Sequence, residues 1–444
     1  MVYKNYSNTW CQHIGLNARE QLKNYRNSDM WLHNAYRFNS GYFFNCNVKF
    51  IITNLFNLLE LESGYKIENK KKDLEILIAN LLRNTKRPLR VPLNVNKWKK
   101  SRYNQSSSFT INIIKSLHRK NFINMKKGYN FQDSIPRETR IWATKKLLDY
   151  FPDYRETIRF IPKEVIVLRE TIEIKVKDQK TKKYKTKKKK KDIEYKDTLE
   201  TRRIRKILES TNKNNFKANI RVLIGNKDIR LNTSMRASFN GKLTQGGRLY
   251  SCGENHYQGL ERGERPKITI NGNKTIELDY KGLHQYLLYA AEGIQYKGDP
   301  YTVIDPHKEL RPFLKKILIC MINSNFNTAQ GAANKWLLYK CDNHIRQRIY
   351  QLKVKKARPF MDKFIKVHEP ISKYLLSENS IGLKLMNKDS KIALSIIEYF
   401  LNKKVPILCM HDSFIVEEQY KAELKQIMDE MYQKHTGGFK CEVK

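Results

Sequence analysis

Residues 267–280 read KITINGNKTIELDY, and residues 405–418 read VPILCMHDSFIVEE. The first stretch alternates apolar and polar residues on both sides of the Asn-Gly pair at 271–272, which is a strong signal for a two-residue hairpin turn. In the second stretch, two apolar runs flank Asp412 at what we expect to be another tight turn. Each stretch therefore predicts an antiparallel hairpin, with Asp279 at a strand end and Asp412 at a turn.

The positions of these two aspartates suggest a metal site. Asp279 is followed by the apolar-rich segment GLHQYLLYAA, which has the pattern of a helix start. A carboxylate at such a strand-to-helix junction can hold a hard cation. If both hairpins belong to one sheet, Asp279 and Asp412 can hold two ions that polarise phosphates and activate an attacking hydroxyl. Aspartate is also a common turn residue, so the pair alone leaves an ordinary structural role open.

A predicted helix between the hairpins carries a basic face. The segment LRPFLKKILICMINSNF, residues 310–326, places four residues at every fourth position and hence on one face: Arg311, Lys315, Ile319 and Asn323. The guanidinium and the ammonium of such a face can hold a triphosphate and the departing pyrophosphate. The alternative is a basic amphipathic surface helix.

The charge of the chain favours a nucleic acid partner. Among 444 residues, 86 are Lys or Arg and 44 are Asp or Glu, which gives a net charge of +42. An anionic membrane surface could attract the same charge, but no window approaches the roughly 20 apolar residues of a membrane span and the start lacks a secretory segment. We therefore expect a soluble, cytoplasmic protein. The seven cysteines include no Cys-x-x-Cys pair, which argues against a zinc ribbon.

A lysine-rich segment precedes these motifs. Residues 165–178 and 192–198 alternate as strands and flank the tract TKKYKTKKKKK. This arrangement predicts a long hairpin with a lysine-rich tip. Such a tip could grip a duplex backbone, or it could be only a solvated loop.

From about residue 234 to 418 the chain resembles the palm and fingers motifs of family A DNA polymerases and of the related single-subunit phage RNA polymerases. Four motifs occur in the family's order. They are SFNGKLTQGGRLYS (238–251), LDYKGLHQYLLYA after the first hairpin, the basic helix, and His-Asp-Ser at 411–413.

The resemblance implies roles for named residues. It makes Asp279 and Asp412 catalytic and assigns metal binding to three residues: Asp279, Tyr280 and Asp412. It implies nucleotide binding by five residues: Arg311, Lys315, Ile319, Asn323 and His284. It implies primer and template binding by four residues: Thr244, Gly247, Arg248 and His411.

Three of these positions depart from the family's pattern. His284 stands where DNA-making members usually carry a glutamate that crowds the second hydroxyl of the sugar. Asn323 replaces the tyrosine that usually completes that barrier, and Ile319 also differs. We hypothesise that discrimination between deoxy- and ribonucleotides is weakened, unless His284 packs under the nucleotide and excludes ribose equally well.

The resemblance also implies an architecture. We expect an α+β fold with a right-hand polymerase shape, an antiparallel-sheet palm and helical fingers. Residues 1–135 would form a basic, largely helical N-terminal lobe, and residues 136–233 a thumb-like region with the lysine-rich hairpin. Residues 234–444 would form the palm, with the fingers inserted at about 300–385. No segment resembles the family's proofreading exonuclease.

The activity implied is extension of DNA chains on a template, with two Mg²⁺ ions or Mn²⁺ as a substitute. A basic lobe joined to a minimal palm is similar to polymerases of mobile elements and phages, including primase-polymerases of staphylococcal cassette chromosomes, which can also initiate chains. The implied partners are DNA template and primer, nucleoside triphosphates, and a small accessory protein or helicase. Two alternatives remain: a single-subunit RNA polymerase or primase, and a degenerate palm that only binds nucleic acid.

Overall fold

The computed structural model describes residues 36–37, 41–61, 67–83, 85, 87–94, 107–128, 138–152, 154–177, 184–302, 304–305, 308–352, 356–377 and 381–444. The chain divides into two compact units, Met1–Lys163 and Glu164–Lys444. Both units mix helices with mainly antiparallel sheets, which confirms the α+β class. No helix among the described residues is both long and apolar enough to cross a membrane.

The first unit packs helices against short strands. Its helices are α1 (Lys49–Leu58), α2 (Ile67–Arg83), α3 (Ser107–Arg119) and α4 (Lys145–Tyr150). Its strands are β1 (Tyr36–Arg37), β2 (Tyr42–Phe44), β3 (Leu89–Val91), β4 (Ile123–Lys126), β5 (Thr139–Ala143) and β6 (Ile158–Phe160). The strands form a sheet of order β1-β3-β5-β4 and a β2-β6 pair. The sequence predicted the helical character but not the sheet, because strands this short show no readable alternation.

The second unit contains the motif region. Its strands are β7 (Ile166–Lys177), β8 (Tyr184–Ile193), β9 (Ile220–Ile224), β10 (Lys227–Arg230), β11 (Met235–Asn240), β12 (Lys242–Ser251), β13 (Ile268–Ile270), β14 (Asn273–Asp279), β15 (Leu408–Met410) and β16 (Ser413–Glu417). Its helices are α5 (Leu199–Lys217), α6 (Leu283–Ala291), α7 (Arg311–Asn323), α8 (Phe326–Tyr339), α9 (Asn343–Gln351), α10 (Arg358–Val367), α11 (Gly382–Asn402) and α12 (Lys421–Thr436).

Both predicted hairpins are present in one six-stranded sheet of order β10-β9-β13-β14-β16-β15. Asn271 and Gly272 join β13 to β14 with φ values of 53° and 88°, the backbone conformation that an Asn-Gly turn favours. Strands β14 and β16 pair antiparallel, with Asp279 opposite Ser413. The ends of the two hairpins that carry Asp279 and Asp412 therefore lie side by side.

A second sheet has the order β12-β11-β7-β8. The predicted hairpin is formed by β7 and β8, but the lysine tract was wrongly placed at its tip. Most of the tract lies along β8, where Lys188 is opposite Glu173 and Lys191 is opposite Glu170. The lysines therefore extend the hairpin as part of strand β8 instead of forming a loop at its tip.

Local signals and core packing fix the helices around these sheets. Helix α5 begins with a capping box, because the Thr198 hydroxyl accepts from the Thr201 amide at 3.1 Å and the Thr201 hydroxyl accepts from the Thr198 amide at 2.8 Å. Fully buried side chains such as Phe313 of α7, Phe400 of α11 and Val416 of β16 belong to one core. This core packs the six-stranded sheet and its helices together. The finer division into thumb, palm and fingers stays a prediction.

Candidate active site

Asp279 and Asp412 meet at the ends of two paired strands. Asp279 is the last residue of β14, and Asp412 lies in the turn between β15 and β16. The Tyr280 amide donates to the Asp412 carbonyl oxygen at 3.4 Å. Pairing of the strands brings the two carboxylates, which lie far apart in sequence, into one locality.

The surroundings of Asp279 disfavour a free negative charge. Burial, followed by repulsion from Asp412, raises the pKa of Asp279 from 3.8 to about 6. The positive charges of Lys315 and Lys444 lower it by smaller amounts. A nearby cation would stabilise the ionised form of Asp279, because its positive charge offsets both the cost of burying the carboxylate and the repulsion from Asp412.

The donor set fits divalent ions shared with a substrate. Neither Asp279 nor Asp412 forms an ion pair with a basic side chain of the described chain. Among the described residues, no cluster of three or more His, Cys, Asp or Glu side chains could hold a metal ion by itself. Two carboxylates without basic partners therefore leave ligand positions for phosphate oxygens, as Mg²⁺ sites commonly do.

The Tyr280 side chain, predicted to take part in metal binding, belongs to the core. The residue is 1% exposed, its hydroxyl donates to the Met428 carbonyl oxygen, and its ring lies 5.8 Å from that of Tyr432. The side chain is therefore fully engaged inside the core. A metal role at Tyr280 is open only to its backbone carbonyl oxygen.

The last residues of the chain hold Asp279 from the other side. The Asp279 amide donates to the Lys444 carbonyl oxygen, and the Lys444 amide donates to the Asp279 carbonyl oxygen, both at 3.1 Å. The pairing continues at Lys281, whose backbone amide donates to the Glu442 carbonyl oxygen at 2.9 Å. No local pattern in the sequence predicts this pairing. It fixes the backbone at the end of β14, where β13 no longer pairs with that strand.

Helix α7 presents the predicted basic face. Lys315 is exposed and contributes to the electrostatics of Asp279. Arg311 is already engaged, because its Nε donates to Asp299 Oδ2 at 2.8 Å and its guanidinium lies 5.0 Å from the Tyr301 ring centroid. Lys315 is therefore the cation of this face that is free to meet a phosphate. To bind a phosphate, Arg311 must break its hydrogen bond to Asp299 or contact both groups at once.

The far end of the same face is neutral. Ile319 is 43% exposed, and the side-chain amide of Asn323 donates from Nδ2 to the Ile319 carbonyl oxygen at 2.7 Å. A Cβ atom at Gly382, the first residue of α11, would lie 2.0 Å from Asn323 Oδ1. The glycine permits this close approach, so Asn323 occupies a defined place between α7 and α11.

Strand β12 carries the predicted primer and template residues. Thr244 is exposed, whereas Gly247 is buried with φ of 90°. A side chain at Gly247 would be strained by that φ and would meet Phe239 and Ser390 at 2.8 Å. The glycine lets α11 pack directly on the strand just before Arg248.

A buried carboxylate that the sequence did not predict joins two of the predicted residues. Asp389 of α11 is 2% exposed and accepts from Nε of Arg248 at 3.1 Å. Nε2 of His284 lies 3.9 Å from the same carboxylate and is buried without a hydrogen-bond partner. Asp389 thus lies between helix α6, which follows β14, and strand β12.

His411 precedes Asp412 in the turn between β15 and β16 and has an unusual conformation. Its φ is 67°, in the left-handed region that few non-glycine residues adopt. Its ring contacts the Tyr250 ring edge-on at 5.5 Å, and its buried Nδ1 has no hydrogen-bond partner. Burial, and then the charge of Arg248, lowers the pKa of His411. A neutral imidazole with an unsatisfied nitrogen can contact a substrate oxygen.

In comparisons with known proteins, no family model matches the chain, and no curated protein matches its sequence.

Proposed function

We propose that the chain is a template-dependent nucleic acid polymerase of the family A type, acting by two-metal nucleotidyl transfer. The observation that carries the proposal is the pairing of β14 with β16, which puts Asp279 and Asp412 together, with no ion-pair partner among the described basic side chains. The net charge of +42 and the basic face of α7 support a substrate rich in phosphate. On this proposal, the six-stranded sheet is the palm and α7 to α10 belong to the fingers.

The protein's residues divide the work of binding. Asp279 and Asp412 would hold Mg²⁺, which polarises the phosphate and favours the ionised form of the attacking 3′-hydroxyl. Lys315 and Arg311 would bind the triphosphate and stabilise the charge on the departing pyrophosphate. Arg248 and His411 would position the primer end, because both lie against the turn that carries Asp412.

The sugar of the incoming nucleotide would meet His284. Its unpartnered Nε2 can hydrogen-bond a hydroxyl, and Asn323 provides no aromatic ring to block one. We therefore infer that ribonucleotides are rejected weakly. This arrangement keeps a ribonucleotide-incorporating enzyme as the second candidate.

One incorporation assay tests the proposal. Primed and unprimed single-stranded DNA templates are each offered labelled deoxy- or ribonucleotides with Mg²⁺, with Mn²⁺, or with a chelator. We expect metal-dependent extension of the primed template. Incorporation of only ribonucleotides would favour the RNA polymerase alternative. Binding of DNA without incorporation under any condition would favour the degenerate subunit and contradict the proposal.

A further inference from the structure

Strands β7 and β8 continue beyond their sheet as a two-stranded ribbon. Strand β7 pairs with β11 only over Ile166–Arg169, whereas its pairing with β8 runs from Leu168 to Lys177. Within the described residues, no third strand pairs with 170–177 or 184–191. We call these two segments the lysine ribbon. Its eight-residue arms are about 27 Å long at roughly 3.4 Å per residue.

The ribbon concentrates positive charge on a projecting surface. Its two segments contain eight lysines and two glutamates. Lys188 and Lys189 are exposed, point to opposite faces of the ribbon, and form no ion pair with a described acidic residue. Only Lys191 has an acidic partner among the four fully described lysines of β8, with Glu170 at 3.8 Å. The charges of Lys188 and Lys189 are therefore available to an external anion.

Protection of a sheet edge does not account for this amount of charge. A few lysines on an edge strand are enough to discourage pairing with another chain. Here lysine occupies every position from 187 to 191, so both faces of the ribbon are basic. The positive charges of such a run repel one another, and a bound anionic partner would offset this repulsion.

The shape and composition of the ribbon favour a duplex. A two-stranded β-ribbon fits the major groove of B-form DNA, and 27 Å corresponds to roughly eight base pairs at about 3.4 Å each. Binding of single strands relies on aromatic platforms as well as charge. Tyr184, at one end, is the only aromatic residue in the two segments. The ribbon therefore offers charge without a stacking surface.

We propose that the lysine ribbon binds the phosphate backbone of double-stranded DNA. Its sheet also contains β12, the strand of Arg248, three strand spacings or about 14 Å from β8. The ribbon therefore extends from the same sheet that carries Arg248 of the candidate active site. Only the identity of this duplex as the primer–template product rests on the proposed function.

The test measures binding without catalysis. The full chain is titrated into a fluorescent 24-base-pair DNA duplex between 50 and 200 mM salt, without metal or nucleotide. We expect the double variant Lys188→Gln/Lys189→Gln to lower the slope of log affinity against log salt by about 1.8. Its loss of affinity over that salt range would then be about 10-fold smaller than that of the wild type.

Matched variants make the result specific. Lys213→Gln/Lys217→Gln removes two exposed lysines from α5 and should leave the slope nearly unchanged. Lys188→Arg/Lys189→Arg should restore it, because charge is retained. An unchanged slope in the ribbon variant would overturn the proposal. So would an equal loss with the single strand of the same sequence, or a loss of binding to phosphatidylserine vesicles with duplex binding intact.

The two proposals can fail separately. If the wild type extends no primer but the ribbon variant loses duplex affinity, the ribbon assignment stands and the polymerase assignment falls. If extension occurs and the ribbon variant binds duplex with an unchanged slope, the reverse holds.

Discussion

Arg248 and Asp389 form a partly buried ion pair between residues 141 positions apart. Nε and Nη2 of Arg248 both lie 3.1 Å from Oδ2 of Asp389, whose side chain is only 3% exposed. The carboxylate holds the guanidinium next to the turn that carries His411 and Asp412. Asp389 is therefore a positioning residue for Arg248.

Replacement of Asp389 should impair use of the primer end. We expect Asp389→Asn to lower kcat/KM for primed template by about 10- to 100-fold, the effect of losing one hydrogen bond to a charged group. The KM for nucleotide should change little, because Lys315 and Arg311 remain. Steady-state extension kinetics, with either substrate varied, measure the two effects.

A double-variant comparison separates positioning from general destabilisation. If Asp389 acts through Arg248, then Asp389→Asn/Arg248→Ala should be no slower than Arg248→Ala alone. Losses that multiply in the double variant would show that Asp389 has an independent role.

Lys315 should be the main phosphate contact of helix α7, since Arg311 is held by Asp299. We expect Lys315→Ala to lower kcat/KM for nucleotide by about 10- to 100-fold through the loss of a charge-assisted contact. Lys316→Ala is the matched control, because Lys316 lies on another face of the helix and contacts Cys320. Equal effects of the two substitutions would contradict the assignment of the face.

Binding of Mg²⁺ should stabilise the fold in a pH-dependent manner. The pKa of Asp279 rises from 3.8 to about 6 on folding, so the folded chain binds this proton more tightly and loses stability as pH rises through that range. A metal ion bound to the ionised Asp279 would restore this lost stability, but it competes with the proton for the carboxylate. We expect Mg²⁺ to raise Tm more at pH 7.5 than at pH 5.5.

Asp279→Asn should remove most of this metal effect and, without metal, should be at least as stable as the wild type at pH 7.5. Thermal unfolding with and without Mg²⁺ measures both quantities. The same metal-induced rise in Tm in this variant as in the wild type would exclude Asp279 as a ligand.

A second pH effect should come from His368, which is 1% exposed. Its Nδ1 accepts from the Tyr289 hydroxyl at 2.9 Å and its Nε2 donates to the Pro300 carbonyl oxygen at 3.0 Å, which suits a neutral ring. Burial lowers its pKa below 6.5 in the folded chain. The unfolded chain therefore takes up a proton first as pH falls, and the free energy of unfolding should decrease below about pH 6.5.

Urea unfolding between pH 5 and pH 8 measures this dependence. His368→Gln should reduce the slope of the unfolding free energy against pH by an amount that corresponds to at most one proton taken up on unfolding. Tyr289→Phe should leave this slope unchanged, because the imidazole still titrates. A slope unchanged by His368→Gln would show that another group is responsible.

The sequence carried enough information for the hairpins and for the basic helix, because both depend on local pattern. The Asn-Gly turn at 271–272 and the four-residue repeat of α7 are signals that no distant contact needs to complete. Asp279 and Asp412 could be predicted as partners only through a resemblance, since nothing local pairs β14 with β16.

Features that depend on tertiary contacts were missed. Asp389 occupies the apolar stripe of α11, between Leu385 and Ile392, and a carboxylate on such a stripe was the available sign that it has a buried partner. Its partner Arg248 lies on another element far away in sequence. The lysine tract was misplaced for a similar reason, because its extension along β8 depends on the facing strand.

Primer extension by aspartate variants tests the central claim most directly. Wild-type chain, Asp279→Ala, Asp412→Ala and the control Asp228→Ala, which alters an exposed residue on the far edge strand β10, are compared on one primed DNA template with Mg²⁺. We predict that the wild type and Asp228→Ala extend the primer, and that both site variants lose extension by at least about 1,000-fold while still binding DNA. Extension by either site variant at the wild-type rate would contradict the account.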